Sequence, residues 1–130
     1  MKRDMDIVKR VLLVIEEKYK DVALYDWELS IDDLDKQTIA YHCKILYDGG
    51  LISDYKAQYA DGEIWSFGVS SLTWEGHDFL DKIRDDSIWS KTKETIKSKG
   101  LPMTLDVVKV VASSIIEISL KAAIQGTLGI

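Results

Sequence analysis

Cysteine, proline and positive charge are all scarce in this chain. The only cysteine among 130 residues, Cys43, excludes an internal disulfide and any zinc site built on several cysteines, and it fits a reducing interior. The only proline, Pro102, stands just after Gly100, and together they stop a helix. Lys and Arg number 17 against 22 Asp and Glu, a net charge of -5, so the chain lacks the basic balance that drives non-specific nucleic-acid binding. A transmembrane span is also missing. The most apolar segment, Thr104 to Ile124, carries Asp106, Lys109, Glu117 and Lys121 within the roughly twenty residues that a span requires. Met1-Lys2-Arg3-Asp4 leads into a charged amphipathic pattern with no small-residue cleavage site, which predicts a cytoplasmic protein without a signal peptide. What remains is 46% hydrophobic and 30% charged, the composition of a folded domain and not of a disordered chain, with no internal repeat or low-complexity tract.

The apolar periodicity predicts a first helix from Asp4 to Tyr19, with Asp4 as N-cap and Ile7, Val8, Val11, Leu12, Val14, Ile15 and Tyr19 on a broad stripe. Residues Asp21 to Asp35 alternate briefly and predict one short strand and about one helical turn. Asp35 caps a second helix, Lys36 to Asp48, with Ile39, Cys43 and Leu46 at i, i+4 and i+7, and Gly49-Gly50 ends it. Leu51 to Tyr59 and Glu63 to Val69 read as strands joined by Ala60-Asp61-Gly62, a hairpin signal, with Trp65, Phe67 and Val69 on one face. Thr73 caps a third helix carrying Phe79, Leu80 and Ile83, in which Gly76 allows close approach to another element. A further helix runs from about Ser87 to Lys99, and the last opens at Thr104. In that last helix the polar residues Asp106, Lys109, Ser113, Glu117 and Lys121 form one narrow stripe, so the apolar arc is wider than a single packing partner needs.

Helix, short strand, helix, Gly-Leu-Ile, hairpin, helix is the order of elements in a winged-helix domain. Thr38 to Ile52 resembles the recognition helix and following strand of winged-helix repressors of the arsenic-repressor type, which implies that Ile52 to Val69 is the wing. Leu72-Thr73-Trp74-Glu75-Gly76-His77-Asp78-Phe79-Leu80 is similar to the Leu-Thr-x-x-Gly-x-x-x-Leu stretch that follows the wing in several such families. The opening Met1 to Asp6, the pair Tyr41-His42, Leu72 to Leu80 and Arg84 to Trp89 look like an uncharacterised family of short bacterial and prophage proteins, a small relative of which is described as winged-helix-like. That resemblance implies a fold and a phage or prophage setting, and carries over no catalytic or binding residue. The chain departs from a complete helix-turn-helix, because Ile31 to Leu34 has room for only about one turn where a bracing helix should stand.

Charge weighs against groove insertion. From Asp21 to Asp86, 15 acids accompany five bases, so the segment that should meet DNA is the acidic one. The basic run Lys91, Lys93, Lys97 and Lys99 reads as a solvated helix face. His42 and Cys43 point about 100 degrees apart on a helix and do not form a metal pair; Cys43 reads as a buried structural thiol and His42 as a helix residue bonded to nearby backbone. Ser70, Ser71, Glu75, His77 and Asp78 lack the strand-to-helix elbow of a hydrolase and read as packing and capping. No metal, cofactor, catalytic residue or small-molecule substrate is expected.

The sequence therefore predicts an α+β, winged-helix-like domain over residues 1–86, with helices and a two- or three-stranded hairpin wing. A C-terminal helical arm over 87–130 would join two copies through Val107, Val108, Val111, Ile115 and Ile118. The leading expectation is a non-enzymatic phage-type interaction protein, a homodimer with an unidentified protein partner. The alternative is a dimeric regulator in which Gln37, Tyr41 and Lys44 read the major groove of duplex DNA while Lys36 and Lys56 touch phosphate. Truncation after Gly100 is expected to give a monomer or an aggregate by size-exclusion chromatography with light scattering, and a soluble, unchanged dimer would overturn the role of the arm.

Overall fold

A computed structural model describes residues 1–127, which form an α+β chain with one three-stranded antiparallel sheet. Two compact units divide it, Met1–Leu80 and a second beginning at Asp81. In the first, helix α1 (Met5–Lys18) starts where the Asp4 carboxylate accepts the N–H of Asp6 at 2.9 Å, and its buried stripe is Met5, Val8, Val11, Leu12 and Ile15. Each such fully buried Leu or Ile stabilises the fold by roughly 1.5–3 kcal/mol. Strand β1 is only Leu24–Tyr25, because the next residues, Asp26–Glu28, tighten into a 3₁₀ turn in which Glu28 Oε2 accepts the Tyr25 N–H at 2.8 Å.

The segment before α2 (Lys36–Asp48) contains a single turn, closed by Leu34 N–H on the Ile31 carbonyl, so the bracing helix of a helix-turn-helix is absent at residues 31–34. Arg10 fastens this turn to α1 by donating to Asp33 at 2.8 Å and to the Asp32 carbonyl at 3.1 Å. Asp33 is held below the usual carboxylate range by that guanidinium, and Asp35 by the hydroxyl and N–H of Thr38. Helix α2 ends as its glycine pair requires: Gly50 has φ +76°, Leu51 N–H returns to the Leu46 carbonyl at 2.8 Å, and Gly50 N–H returns to that of Tyr47 at 3.0 Å.

Strands β2 (Tyr55–Ala60) and β3 (Glu63–Val69) are joined by Asp61-Gly62, both at positive φ, the backbone of the favoured two-residue hairpin turn. β2 starts at Tyr55 and not at Leu51, because Leu51 is engaged in the helix end and Ile52 forms a separate bridge with Leu72. The sheet order is β1-β3-β2. Leu24 pairs with Val69 and Tyr25 with Gly68; across the hairpin Lys56 pairs with Gly68 and Gln58 with Ser66. Alternation turns Phe67 and Val69 into the core and leaves Ser66 and Gly68 on the outer face. Trp65 stands where the register shifts between Gln58 and Tyr59, so the alternation breaks there, and it is 64% exposed.

Helix α3 (Trp74–Ile83) is locked to the end of α2. Thr73 N–H donates to the Leu51 carbonyl at 3.0 Å, the Thr73 hydroxyl donates to the Gly50 carbonyl at 2.6 Å, and the same oxygen accepts the Gly76 N–H at 3.0 Å. A Cβ at Gly76 would collide with the Leu51 carbonyl.

In the second unit α4 (Asp86–Ser98) is capped by Asp85 and buries Trp89, Thr92 and Ile96. The Thr92 hydroxyl is satisfied by the Ile88 carbonyl at 2.7 Å. Gly100, at φ +65°, ends the helix, and α5 (Leu105–Thr127) opens where Thr104 Oγ1 accepts the Val107 N–H at 3.2 Å. Helices α4 and α5 pack together, with Val108 and Ala112 as the buried residues of α5. From Glu117 to Thr127 every residue is exposed.

Gly76→Ala is expected to destabilise the protein by about 3 kcal/mol or more, because the collision is with backbone and not with a movable side chain. Chemical denaturation followed by circular dichroism measures this, and a midpoint unchanged from the parent would overturn the locked junction.

Candidate interaction surface

The exposed side of α2 presents the residues that would read DNA, and two of its cations are already engaged. Lys36 Nζ donates to the Trp65 carbonyl at 3.1 Å and pairs with Asp26 at 3.6 Å; Lys44 pairs with Asp48 at 3.7 Å. Gln37 is exposed, and Tyr41 is half-buried with its ring edge-on to His42. Lys56 lies apart from them on β2, exposed and without an ion pair among the described residues. Thus the structure gathers Gln37, Tyr41 and Lys44 on one helix but ties Lys36 to the sheet and places Lys56 on its outer face.

That outer face is the more developed surface. Tyr25 and Trp27 stack with ring centroids 4.9 Å apart and planes 9° from parallel. The Tyr25 ring lies beside Gly68, within ordinary van der Waals reach of the place a Cβ would take. Trp27 is nevertheless 69% exposed: one face of the indole is covered by Tyr25 and the other is open. Behind the stack, Asp26 accepts the Ser66 hydroxyl at 2.9 Å as well as pairing with Lys36, so the turn that carries Trp27 is fastened to β3 and α2 together. Tyr25, Trp27, Asp54, Lys56, Gln58 and Trp65 are among the residues lining a groove of about 890 Å³ along this face. Asp54 is half-buried, and its Oδ1 accepts the Tyr55 N–H at 2.9 Å. Strand alternation alone suffices to put Lys56, Gln58 and Tyr25 on one face, but no spacing rule predicts the stack of Tyr25 on Trp27.

His42, 1% exposed, bridges two helices: Nε2 accepts the Asp4 N–H at 3.0 Å, and Nδ1 donates to the Thr38 carbonyl at 2.8 Å. It is bonded to local backbone as its helix position suggests, and the bond to Asp4 crosses 38 residues that no spacing rule covers. The structure does not bring Ser70, Ser71 and His77 into one line, since Ser71 meets Ser53 at 3.2 Å and His77 stands 3.9 Å from Glu16. Lys93 lies 5.3 Å from the Trp89 ring centre. Among the described residues no group of three His, Cys, Asp or Glu side chains is placed to hold a metal ion, and no helix is long and apolar enough to cross a membrane.

Of the residues expected at a dimer interface, Ile118 is exposed and Val107, Val111 and Ile115 are half-buried. Val108 is a correction: it is fully buried within the single chain, so its side chain completes the monomer fold and offers nothing to a second copy. Val110, Leu120 and Ile124 on the same helix are exposed as well, and its nearly continuous apolar arc hides in the sequence which side faces inward.

Residues 2–102 match the family model described as hypothetical protein (DUF2513). The chain is also similar to an uncharacterized protein of Haemophilus influenzae, 39% identical over 118 residues, which covers 89% of this chain and 96% of that protein. No solved structure matches.

Burial pushes the Cys43 thiol up to about 12, so at pH 8 almost no thiolate is present in the folded protein. A thiol-reactive dye is expected to leave native Cys43 unmodified at pH 8 and to label it fully in denaturant; rapid labelling of the native protein would show that α2 does not bury this face.

Proposed function

The chain belongs to the DUF2513 family, and we propose that it is a non-enzymatic protein-interaction module whose working surface is the open face of its sheet. The observation that carries this reading is the groove bordered by the exposed Tyr25–Trp27 stack and Trp65. Large aromatics left in water on a rigid strand scaffold gain their free energy of burial only when something covers them, and such residues dominate protein interfaces. The proposed setting is the cytoplasm of a phage-infected or prophage-bearing bacterium, which follows the resemblance seen in the sequence. The exposed apolar residues of α5, Val110, Ile118, Leu120 and Ile124, support a homodimer as the assembled form.

A dimeric winged-helix regulator of transcription is the second reading, favoured by the exposed Gln37 and Lys44 on α2. Its weakness is electrostatic. Residues 21–80 hold 12 acids and three bases, and of the three bases Lys36 and Lys44 already pair with carboxylates. Each phosphate contact needs a cation free to release counterions from DNA, and Lys56 alone supplies little affinity at physiological salt.

Two measurements separate the readings. Fluorescence anisotropy of a labelled mixed-sequence duplex is expected to show no binding at low or physiological salt; binding that weakens steeply with salt and is abolished by K44E with K56E would overturn the module in favour of the regulator. A photo-reactive side chain at position 58, which lines the groove beside the stack, activated in the host cell, is expected to form a discrete protein adduct that Tyr25→Ala removes, while the same group at position 37 forms none. Nucleic-acid adducts at position 37 would count against the proposal.

A further inference from the structure

We infer that residues 117–127, about the last three turns of α5, take up their helix only as two copies of the chain join, so that folding of the arm's end and assembly are one step. This rests on the homodimer reading and adds how that assembly is regulated. Up to Ile116 the helix is supported from the side: Val108 and Ala112 are buried where α5 packs on α4, and Val107, Val111, Ile115 and Ile116 are half-buried. Past that point the support ends. Every residue from Glu117 to Thr127 is exposed, and Ile118, Leu120 and Ile124 are large apolar side chains among them.

Such a stretch has few means of its own to stay helical in water. The docked turns before it supply a nucleus, yet propagation gains little per residue even for good helix formers, and helices in proteins owe most of their stability to burying one face. Gly126 and the β-branched Ile118 and Ile124 lower the intrinsic helicity further. Lys121 Nζ pairs with Glu117 at 3.2 Å, but both side chains stand in water, where such a pair adds little. A second copy is the cover that the charges favour. The stretch is neutral, its one acid and one base pairing with each other, whereas residues 1–80 hold 16 acids and nine bases and repel their like. Two copies therefore approach at least electrostatic cost through the arm. Covering Ile118, Leu120 and Ile124 there supplies the burial that fixes the turns, and the entropy lost in ordering them lowers the affinity, which makes helix formation depend on concentration.

Hydrogen exchange read by mass spectrometry tests this on the full chain, once at a dilution where sedimentation shows single chains and once at a concentration where it shows pairs. The expected result is that the amides of 117–127 exchange like those of an unfolded peptide in the dilute sample and about tenfold or more slowly in the concentrated one, while those of Val108 to Ile116 are protected in both. Ala123→Gly, at an exposed position, should leave the melting of the dilute protein unchanged and weaken pairing about fivefold for each chain. Gly126→Ala, where a Cβ meets nothing within 4 Å, should tighten pairing by a similar factor. A helix already formed in the single chain would give neither change. Protection of 117–127 in the dilute sample, pairing that leaves these amides unprotected, or a dissociation constant unmoved by both variants would each overturn the inference. If copies pair without ordering the segment, the coupling falls and the homodimer stands; if the chain stays single at every concentration, both fall.

Discussion

The carbonyl of Leu51 and the missing side chain of Gly76 hold this domain together. Leu51 is the point where α2 ends, the sheet begins and α3 docks: its N–H closes the helix end on Leu46, its carbonyl accepts Thr73, and the space beside that carbonyl exists only because residue 76 is glycine. Thr73 ties the junction further, donating to Gly50 and capping Gly76 with one hydroxyl. With the Ile52–Leu72 bridge beside it, both feet of the hairpin are fixed within a few residues of each other. The register of β2 and β3 follows from that clamp and from the Asp61-Gly62 turn at the other end, and register decides which side chains face water. A slip of one residue would turn Phe67 and Val69 outward and destroy both the core and the groove.

A second set of contacts determines what α2 can offer. His42 binds α2 to the start of α1 through the Asp4 N–H, and Arg10 holds the turn that replaces a bracing helix. At its N-terminus Lys36 reaches back to Asp26 and the Trp65 carbonyl, which draws the helix towards the sheet and the turn bearing Trp27. The lysine that a DNA-reading helix would spend on phosphate is spent here on positioning. The same contact helps fix Asp26, and through Ser66 the turn is anchored to β3, so the exposed indole is carried on a rigid mount. A rigid aromatic loses little conformational entropy when it is covered, which is what a recognition surface needs.

Much of this was legible in the sequence where the physics is local. Asp4, Asp35, Thr73 and Thr104 all cap the helices they precede, the Gly49-Gly50 pair ends α2, and Asp61-Gly62 makes the hairpin, because a cap or a turn is decided by residues within four positions of one another. Depth was not legible. Parity puts Trp65 with Phe67 and Val69, yet the register shift between Gln58 and Tyr59 interrupts the alternation at Trp65 and leaves it in solvent while they are buried. Three of the four tryptophans, Trp27, Trp65 and Trp74, lie largely in solvent, and no local pattern separates them from the buried Trp89. The engagement of Lys36 spans 29 residues to Trp65 and could not be read from its neighbours, and the burial of Val108 depends on which side of an almost wholly apolar helix meets α4.

The segment matched by the family model ends at residue 102, so it contains the sheet, its groove and helices α1 to α4, and stops just short of α5. That division agrees with the two kinds of exposed apolar surface in the chain. The groove is small, aromatic and rimmed with charge, and its residues come from three strands and a turn whose geometry the Leu51–Gly76 junction fixes. The surface of α5 is aliphatic, belongs to one helix of 23 residues packed on one of 13, and buries no side chain between Glu117 and Thr127. Surfaces of the first kind discriminate, because polar and aromatic groups at fixed positions penalise a poor fit; surfaces of the second kind associate with little selectivity, because aliphatic burial is non-directional. On the proposed reading, recognition belongs to the sheet and assembly to the arm.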